Sequence, residues 1–180
     1  IRQDVHELHR ALHIPKGILE NLRQAWLAHS AENEVRSYLA GFGLTPHQIS
    51  TLLEQYGNAI VGVLRADPYQ LIQTVQGYGF KKVDQIARAM GTPKNHPGRI
   101  AAGILYCLSE EVSDGHTWTA GRALLDKAND LLLLDTLDSR TVIEAAAQQL
   151  LTDGHIVADG SAVTTAFFLE AERFIRETFS

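Results

Sequence analysis

Val75-Gln76-Gly77-Tyr78-Gly79-Phe80-Lys81-Lys82-Val83-Asp84-Gln85-Ile86-Ala87 is the stretch on which the reading of this chain turns. An apolar residue leads into Gly-aromatic-Gly, and a helix with two lysines in its first turn is expected to follow. Glycine at both tip positions permits positive φ and lets a partner come close to the backbone. The first N–H groups of the new helix have no intrahelical acceptor, so they point outward and can hold an anion such as phosphate. Lys81 and Lys82 add positive charge beside them. Val83 and Ile86, four and seven residues after Gly79, face inward and pin the new helix to the preceding one. Two helices joined in this way make a helix-hairpin-helix, a unit suited to gripping nucleic-acid backbone without reading bases.

Working outward, the same offsets recur. Gly43-Leu44-Thr45 precedes Pro46, and Ile49 and Leu52 again fall four and seven residues after the last tip residue. Thr45-x-x-Gln48 is a capping-box pattern with proline at the first helical position, where its missing N–H costs nothing. A more degenerate copy is expected at His13-Ile14-Pro15, between a helix carrying Val5, Leu8 and Leu12 and one carrying Leu19, Leu22 and Trp26. Pro15 has no N–H to offer, so that copy is expected only to pack. Ser30 is expected to cap a further helix through Val35, Tyr38 and Leu39. Asp67-Pro68 should open the short helix into the Gly77 hairpin, and Gly57 and Gly91-Thr92-Pro93 should close helices. The tips begin at positions 13, 43 and 77, spacings of 30 and 34 residues, so a helix pair repeats along the chain.

Beyond Arg99 the pattern changes. An amphipathic helix is expected over 100–112, then a short strand at His116-Thr117-Trp118-Thr119, with Thr119 capping a helix through Leu124, Leu125 and Ala128. Asp138 or Ser139 should open another helix, closed by Gly154. Ile156-Val157-Ala158 and Ala162-Val163-Thr164 flank Asp159-Gly160 as a β-hairpin. Helix, strand, helix, helix, hairpin is the order of a winged helix. A last helix is expected from Leu169, carrying Phe174, Ile175 and Phe179. The expected fold is therefore mainly α: tandem helix-hairpin-helix repeats followed by a winged-helix-like domain with a small β-hairpin. The divisions expected are a degenerate hairpin remnant at 1–29, the tandem domain at 30–98, the winged-helix-like domain at 99–168, and a connector helix at 169–180.

Composition bounds the function. The 180 residues are 45% hydrophobic and 21% charged, ordinary for a globular protein, and no apolar run approaches the ~20 residues of a membrane span. Ile1 is not a natural start, so the sequence is expected to be part of something longer. The one cysteine, Cys107, lies in an apolar run and is expected to be a small buried side chain in a reducing compartment. Net charge is −5, against a globally basic binder. Between positions 77 and 99, however, Lys81, Lys82, Arg88, Lys94 and Arg99 face one acid, Asp84, a local charge of +4 that leaves −9 elsewhere.

The principal candidate site is thus Gly77, Tyr78, Gly79, Lys81 and Lys82, flanked by Lys94 and Arg99; a second is Gly43, Leu44 and Thr45 with His47. The bland alternative for either is a tight interhelical turn without a ligand. Tyr78 is either a core aromatic or a side chain reaching a minor groove or base, and exposure of hairpin tips favours the latter. Helix 141–151, with Arg140, Gln148, Gln149 and Glu144, has too few cations to read bases and is expected to pack or to contact protein. His6 and His9 share a helical face without a carboxylate or cysteine to complete a metal site. No Gly-x-x-x-x-Gly-Lys-Ser/Thr and no Ser/His/Asp or Cys/His signature occurs, so no catalytic residue, metal or cofactor is expected within these residues.

Leu39-Ala40-Gly41-Phe42-Gly43-Leu44-Thr45, Tyr56-Gly57-Asn58-Ala59 and Leu64-Arg65-Ala66-Asp67-Pro68-Tyr69-Gln70-Leu71 resemble a known family, as do 77–87 and Arg99-Ile100-Ala101-Ala102-Gly103-Ile104-Leu105-Tyr106. The chain resembles the N-terminal region of RecD/TraA-type superfamily 1 DNA helicases, in the longer bacterial branch with helix-hairpin-helix repeats. Similarity is clear over about 20–116 and weaker through Glu170-Ala171-Glu172. Val83 departs from the pattern, standing where the family usually has a small residue. The resemblance implies a parent enzyme that uses ATP and Mg2+ to move 5′ to 3′ on single-stranded DNA in the bacterial cytoplasm, in repair or recombination, with its Walker motifs beyond Ser180. The implied partners are single-stranded or forked DNA and helicase motor domains in the same chain, with no membrane. The rival class is a protein-interaction scaffold whose hairpins only pack; the acidic remainder supports it.

Overall fold

The computed structural model describes residues 15–178. His13 and Ile14 of the degenerate hairpin, and His6 and His9, lie outside the described residues. The chain divides into two compact units, residues 1–65 and 66–180, and each carries one of the two glycine-containing hairpins.

In the first unit, α1 (Lys16–Ala40) is a single 25-residue helix that starts after Pro15. The expected break at Ser30 does not occur. Nothing between Ile18 and Ala40 is glycine or proline, so no residue forces a stop, and serine is tolerated inside a helix when its neighbours are good helix formers. Side-chain pairs one turn apart support it, Gln24 to Glu20 at 3.0 Å and Arg36 to Glu32 at 2.9 Å. The expected packing of Leu19, Leu22 and Trp26 is only partly met: Leu19 is buried, whereas Leu22 and Trp26 are 67% and 59% exposed. A 25-residue helix on one 11-residue neighbour cannot be covered along its whole length.

That neighbour is α2 (Pro46–Tyr56), which begins with the complete capping box: the Gln48 N–H donates to Thr45 Oγ1, and the Thr45 N–H donates to Gln48 Oε1 at 2.8 Å. Leu39, Leu44, Ile49 and Leu52 are buried together with Ile60 and Leu64 of α3 (Ile60–Ala66), reached through a 3₁₀ turn at Gly57–Ala59. Arg36 donates to Ser50 Oγ at 3.2 Å and ties α1 to α2.

The second unit opens with Asp67, whose carboxylate accepts the Tyr69 N–H at 3.0 Å and starts the 3₁₀ turn Pro68–Gln70. Then come α4 (Leu71–Thr74), the Gly77 hairpin, α5 (Phe80–Ala89) and α6 (Pro97–Ser113). The last begins earlier than expected because His96 Nδ1 accepts the Gly98 N–H and Pro97 sits at the first helical position. Further on are β1 (Thr119–Ala120), α7 (Gly121–Leu132), α8 (Ser139–Thr152), β2 (Ile156–Asp159), β3 (Ala162–Thr165) and α9 (Ala166–Thr178).

The strands form one antiparallel sheet in the order β1-β3-β2. Asp159 pairs with Ala162 across the Gly160 turn, as the Asp-Gly signal requires, and Thr119 pairs with Val163. Thr119 is therefore a buried strand residue and not the helix cap expected; Ala120 takes the N-cap position without a side-chain bond. Ile100, Ile104 and Leu108 of α6 bury against Leu124, Ala128 and Leu132 of α7 and Ile143 and Leu150 of α8. Gly103 permits this contact to be close: a Cβ there would lie 2.6 Å from Leu132 Cδ2.

Candidate nucleic-acid interface

The Gly77 hairpin is built from backbone constraints outward. α4 ends at Val75, which is extended and buried. Gly77 adopts φ +79°, where a side chain would be strained, and the Tyr78 N–H returns to the Val75 carbonyl at 3.1 Å. Gly79 then caps α5 with φ −78° and ψ 169°, ordinary extended backbone, so only the first tip glycine uses positive φ. A Cβ added at Gly79 would meet nothing within 4 Å. The fold does not require glycine there.

The two hairpins differ in what their amides do. At Thr45, side chains consume the cap N–H and that of Gln48. At Gly79 no side chain caps the helix, so the first amides of α5 keep their outward donors. With φ +79° at both Gly43 and Gly77, the turns are alike and the capping chemistry is not. Leu44 is buried, and His47 is exposed one residue into α2.

Tyr78 is a correction: it is 4% exposed and belongs to the core. Burial raises the pKa of its hydroxyl. Lys82 lies over it, Nζ 4.4 Å from the ring centroid, and donates to the Gly77 carbonyl at 3.1 Å, so its charge sits across the tip. Lys81, one position earlier, is exposed, with Nζ 5.3 Å from the Tyr106 ring centroid. Its hydrogen bond with Tyr106, helped by the charge of Glu110, holds its pKa above the ordinary lysine value.

Arg99 and Lys94 do not flank the site as free cations. Arg99 is 5% exposed and forks onto Asp84, Nε to Oδ1 at 2.7 Å and Nη2 to Oδ2 at 3.2 Å, while Nη1 donates to the Leu132 and Lys94 carbonyls. Lys94 pairs with Asp135 at 2.7 Å. The local excess of charge therefore reaches solvent through Lys81, Lys82 and Arg88, the last exposed and donating to the Thr92 carbonyl. Asp84 also accepts the Tyr69 hydroxyl at 2.6 Å; burial first, and then this hydrogen bond, push that hydroxyl far above its ordinary pKa.

What sequence reasoning missed is the aromatic group behind the hairpin. Phe80 stacks on Tyr106 at 5.4 Å and on Tyr69 at 6.2 Å, and Tyr69 reaches His96 at 5.9 Å. Tyr69 and Phe80 at helix starts, with Tyr106 inside an apolar run, were visible only as separate apolar positions. In α8, Arg140 pairs with Asp126 and Glu144, and Gln149 donates to Asp153, so these polar groups are engaged within the unit. Cys107 is buried, its thiol pushed up to about 11 by that burial. Among the described residues no three histidine, cysteine or carboxylate side chains gather as a metal site, and no helix is long and apolar enough to cross a membrane.

Comparison with known proteins matches the family described as ATP-dependent RecD2 DNA helicase HHH domain over residues 28–118, just over half of the chain. The match runs from within α1 through both hairpins and all of α6. With the hairpin geometry and the match in agreement, the chain belongs to the RecD2 DNA helicase helix-hairpin-helix family.

Proposed function

We propose that the Gly77 hairpin binds the DNA phosphate backbone without sequence preference. The observation that carries this is the uncapped start of α5, with the Gly79 position open to close approach and Lys81 and Lys82 beside it. Backbone amides and lysines recognise phosphate by charge and hydrogen bonding and carry no base information. The Gly43 hairpin, with its amides spent on Thr45 and Gln48, is proposed to pack and to make at most an auxiliary contact through His47. The order helix, strand, helix, helix, hairpin with sheet order β1-β3-β2 supports a winged-helix-like reading of the later elements.

At the level of the whole protein, the proposal is an ATP-dependent 5′ to 3′ helicase of the bacterial cytoplasm. Its DNA is single-stranded or forked, and its ATP and Mg2+ are held by motor domains in the same chain. The 180 residues offer no phosphate-binding Gly-Lys pair for that nucleotide. The competing reading, a packing scaffold, draws on Arg99 and Lys94 being paired internally.

Amide chemical shifts on titration with a short oligonucleotide distinguish the two. Selective shifts at Gly79, Phe80 and Lys81, exceeding those at Thr45 and His47, are expected. No shift at the Gly77 hairpin at low salt would refute the proposal and favour the scaffold.

A further inference from the structure

Beside the Gly77 hairpin lies a groove of about 430 Å³, in the ~300–1,000 Å³ range of small-ligand sites. Gly79, Tyr106, Ala101, Ala102, Gln73 and His155 are among its lining residues. Small residues of α6 leave one wall without bulk, Tyr106 supplies an aromatic surface backed by Phe80, and Gln73 and His155 can hydrogen-bond. The lining includes one carboxylate, Asp67, and it accepts the Tyr69 N–H.

We infer that this groove takes the base of one unpaired DNA nucleotide whose phosphate rests on the adjoining hairpin. The inference rests on the phosphate reading above and adds the place where an unpaired base is held. Charge selects the ligand class: Lys81, exposed and held over the Tyr106 ring, places a cation where an apolar groove meets the uncapped helix start. An anion joined to a flat apolar group matches that arrangement: it gives the ammonium a full counter-charge in place of the Tyr106 hydroxyl and the nearby Glu110, which a neutral apolar peptide does not. Moving Lys81 Nζ onto the phosphate frees the ring surface it now covers, so a base can stack where the ammonium lay. Glycine at position 79 fits the same picture. Its backbone suits any residue and its Cβ direction is open, yet a side chain at this lining position would stand between hairpin and groove. A base in a duplex must first be unpaired and unstacked, so a single strand is preferred.

The test uses a single-stranded oligonucleotide carrying 2-aminopurine and a blunt duplex of the same sequence, titrated with the wild-type chain, Tyr106→Leu, Tyr106→Phe and Ala102→Leu. Expected are quenching of 2-aminopurine by wild type and Tyr106→Phe, and roughly tenfold weaker single-strand binding by Tyr106→Leu and Ala102→Leu, with duplex affinity unchanged. Ala102→Leu fills the groove without removing a core ring, and thermal melting checks that each variant is folded. Salt-sensitive binding that none of the folded variants alters, or equal losses on both DNAs, would overturn the groove and leave the hairpin reading standing. No binding of either DNA by wild type would overturn both.

Discussion

Replacing Asp84 by alanine should cost the second unit a large part of its stability, while leaving Lys81 and Lys82 of the hairpin in place. Arg99 is 5% exposed, and two of its hydrogen bonds, at 2.7 and 3.2 Å, end on Asp84. Without that carboxylate the guanidinium stays buried with only the neutral carbonyls of Lys94 and Leu132 as acceptors. Removing one member of a buried pair typically costs about 3–5 kcal/mol, because the other charge remains desolvated. The Tyr69 hydroxyl loses its acceptor as well, adding about 1 kcal/mol. Against a total stability of about 5–15 kcal/mol, the loss is large. Urea unfolding followed by circular dichroism measures it, in a cycle of Asp84→Ala, Arg99→Leu and the double variant. The double variant should cost less than the sum of the singles by about 0.5–3 kcal/mol. An Asp84→Ala loss below about 1 kcal/mol would refute the reasoning. So would an Arg99→Leu variant of wild-type stability that has lost DNA binding, since it would return Arg99 to the interface.

Other outcomes follow from the two tips and the core. Gly77→Ala, at φ +79°, should destabilise by about 1–2 kcal/mol, whereas Gly79→Ala, at φ −78° with open space, should be neutral to about 0.5 kcal/mol stabilising yet weaken DNA binding. Thermal melts and binding curves for the pair check both halves. Thr45→Ala removes the capping-box oxygen and should lower stability by about 0.5–2 kcal/mol in urea unfolding, with DNA affinity little changed. Because the folded Cys107 thiol holds its proton up to about 11, against an ordinary 9.0, the folded state carries the extra proton in that window. Stability should therefore be flat below about pH 8.5 and fall as pH rises from 9 to 11, by at most about 2.7 kcal/mol. Cys107→Ala should flatten that fall up to about pH 10, above which Tyr69 and Tyr78, both raised by burial, begin to add their own losses.

Signals that act within one turn of chain were legible. Thr45-x-x-Gln48, Asp67-Pro68 and Asp159-Gly160 each specify their cap or turn through neighbouring backbone groups, and the structure forms all three. Pairings across the chain were not. In the sequence Asp84 and Arg99 are opposite charges fifteen residues apart in one patch, and nothing local shows that Arg99 forks onto Asp84 inside the fold. Lys94 finds Asp135 from a distant loop, so a local charge sum overstates what solvent sees. Tyr78 illustrates the same limit: a hairpin tip is exposed on average, yet here the turn closes on Val75 and the ring is buried. At Ser30 and Thr119 one side-chain type serves two purposes. A serine caps only where the helix is otherwise interrupted, and a threonine joins a strand when a partner such as Val163 is present.

The salt dependence of binding to a labelled single strand, measured by anisotropy for wild type and Lys81→Ala/Lys82→Ala, addresses the phosphate site most directly. Each phosphate contact on single-stranded DNA contributes about −0.7 to the slope of log K against log salt. Wild type should bind with a negative slope, and the double variant should bind more weakly with a slope shallower by about 1.4. Identical slopes in wild type and a folded double variant would place the phosphate contacts somewhere other than the Gly77 hairpin.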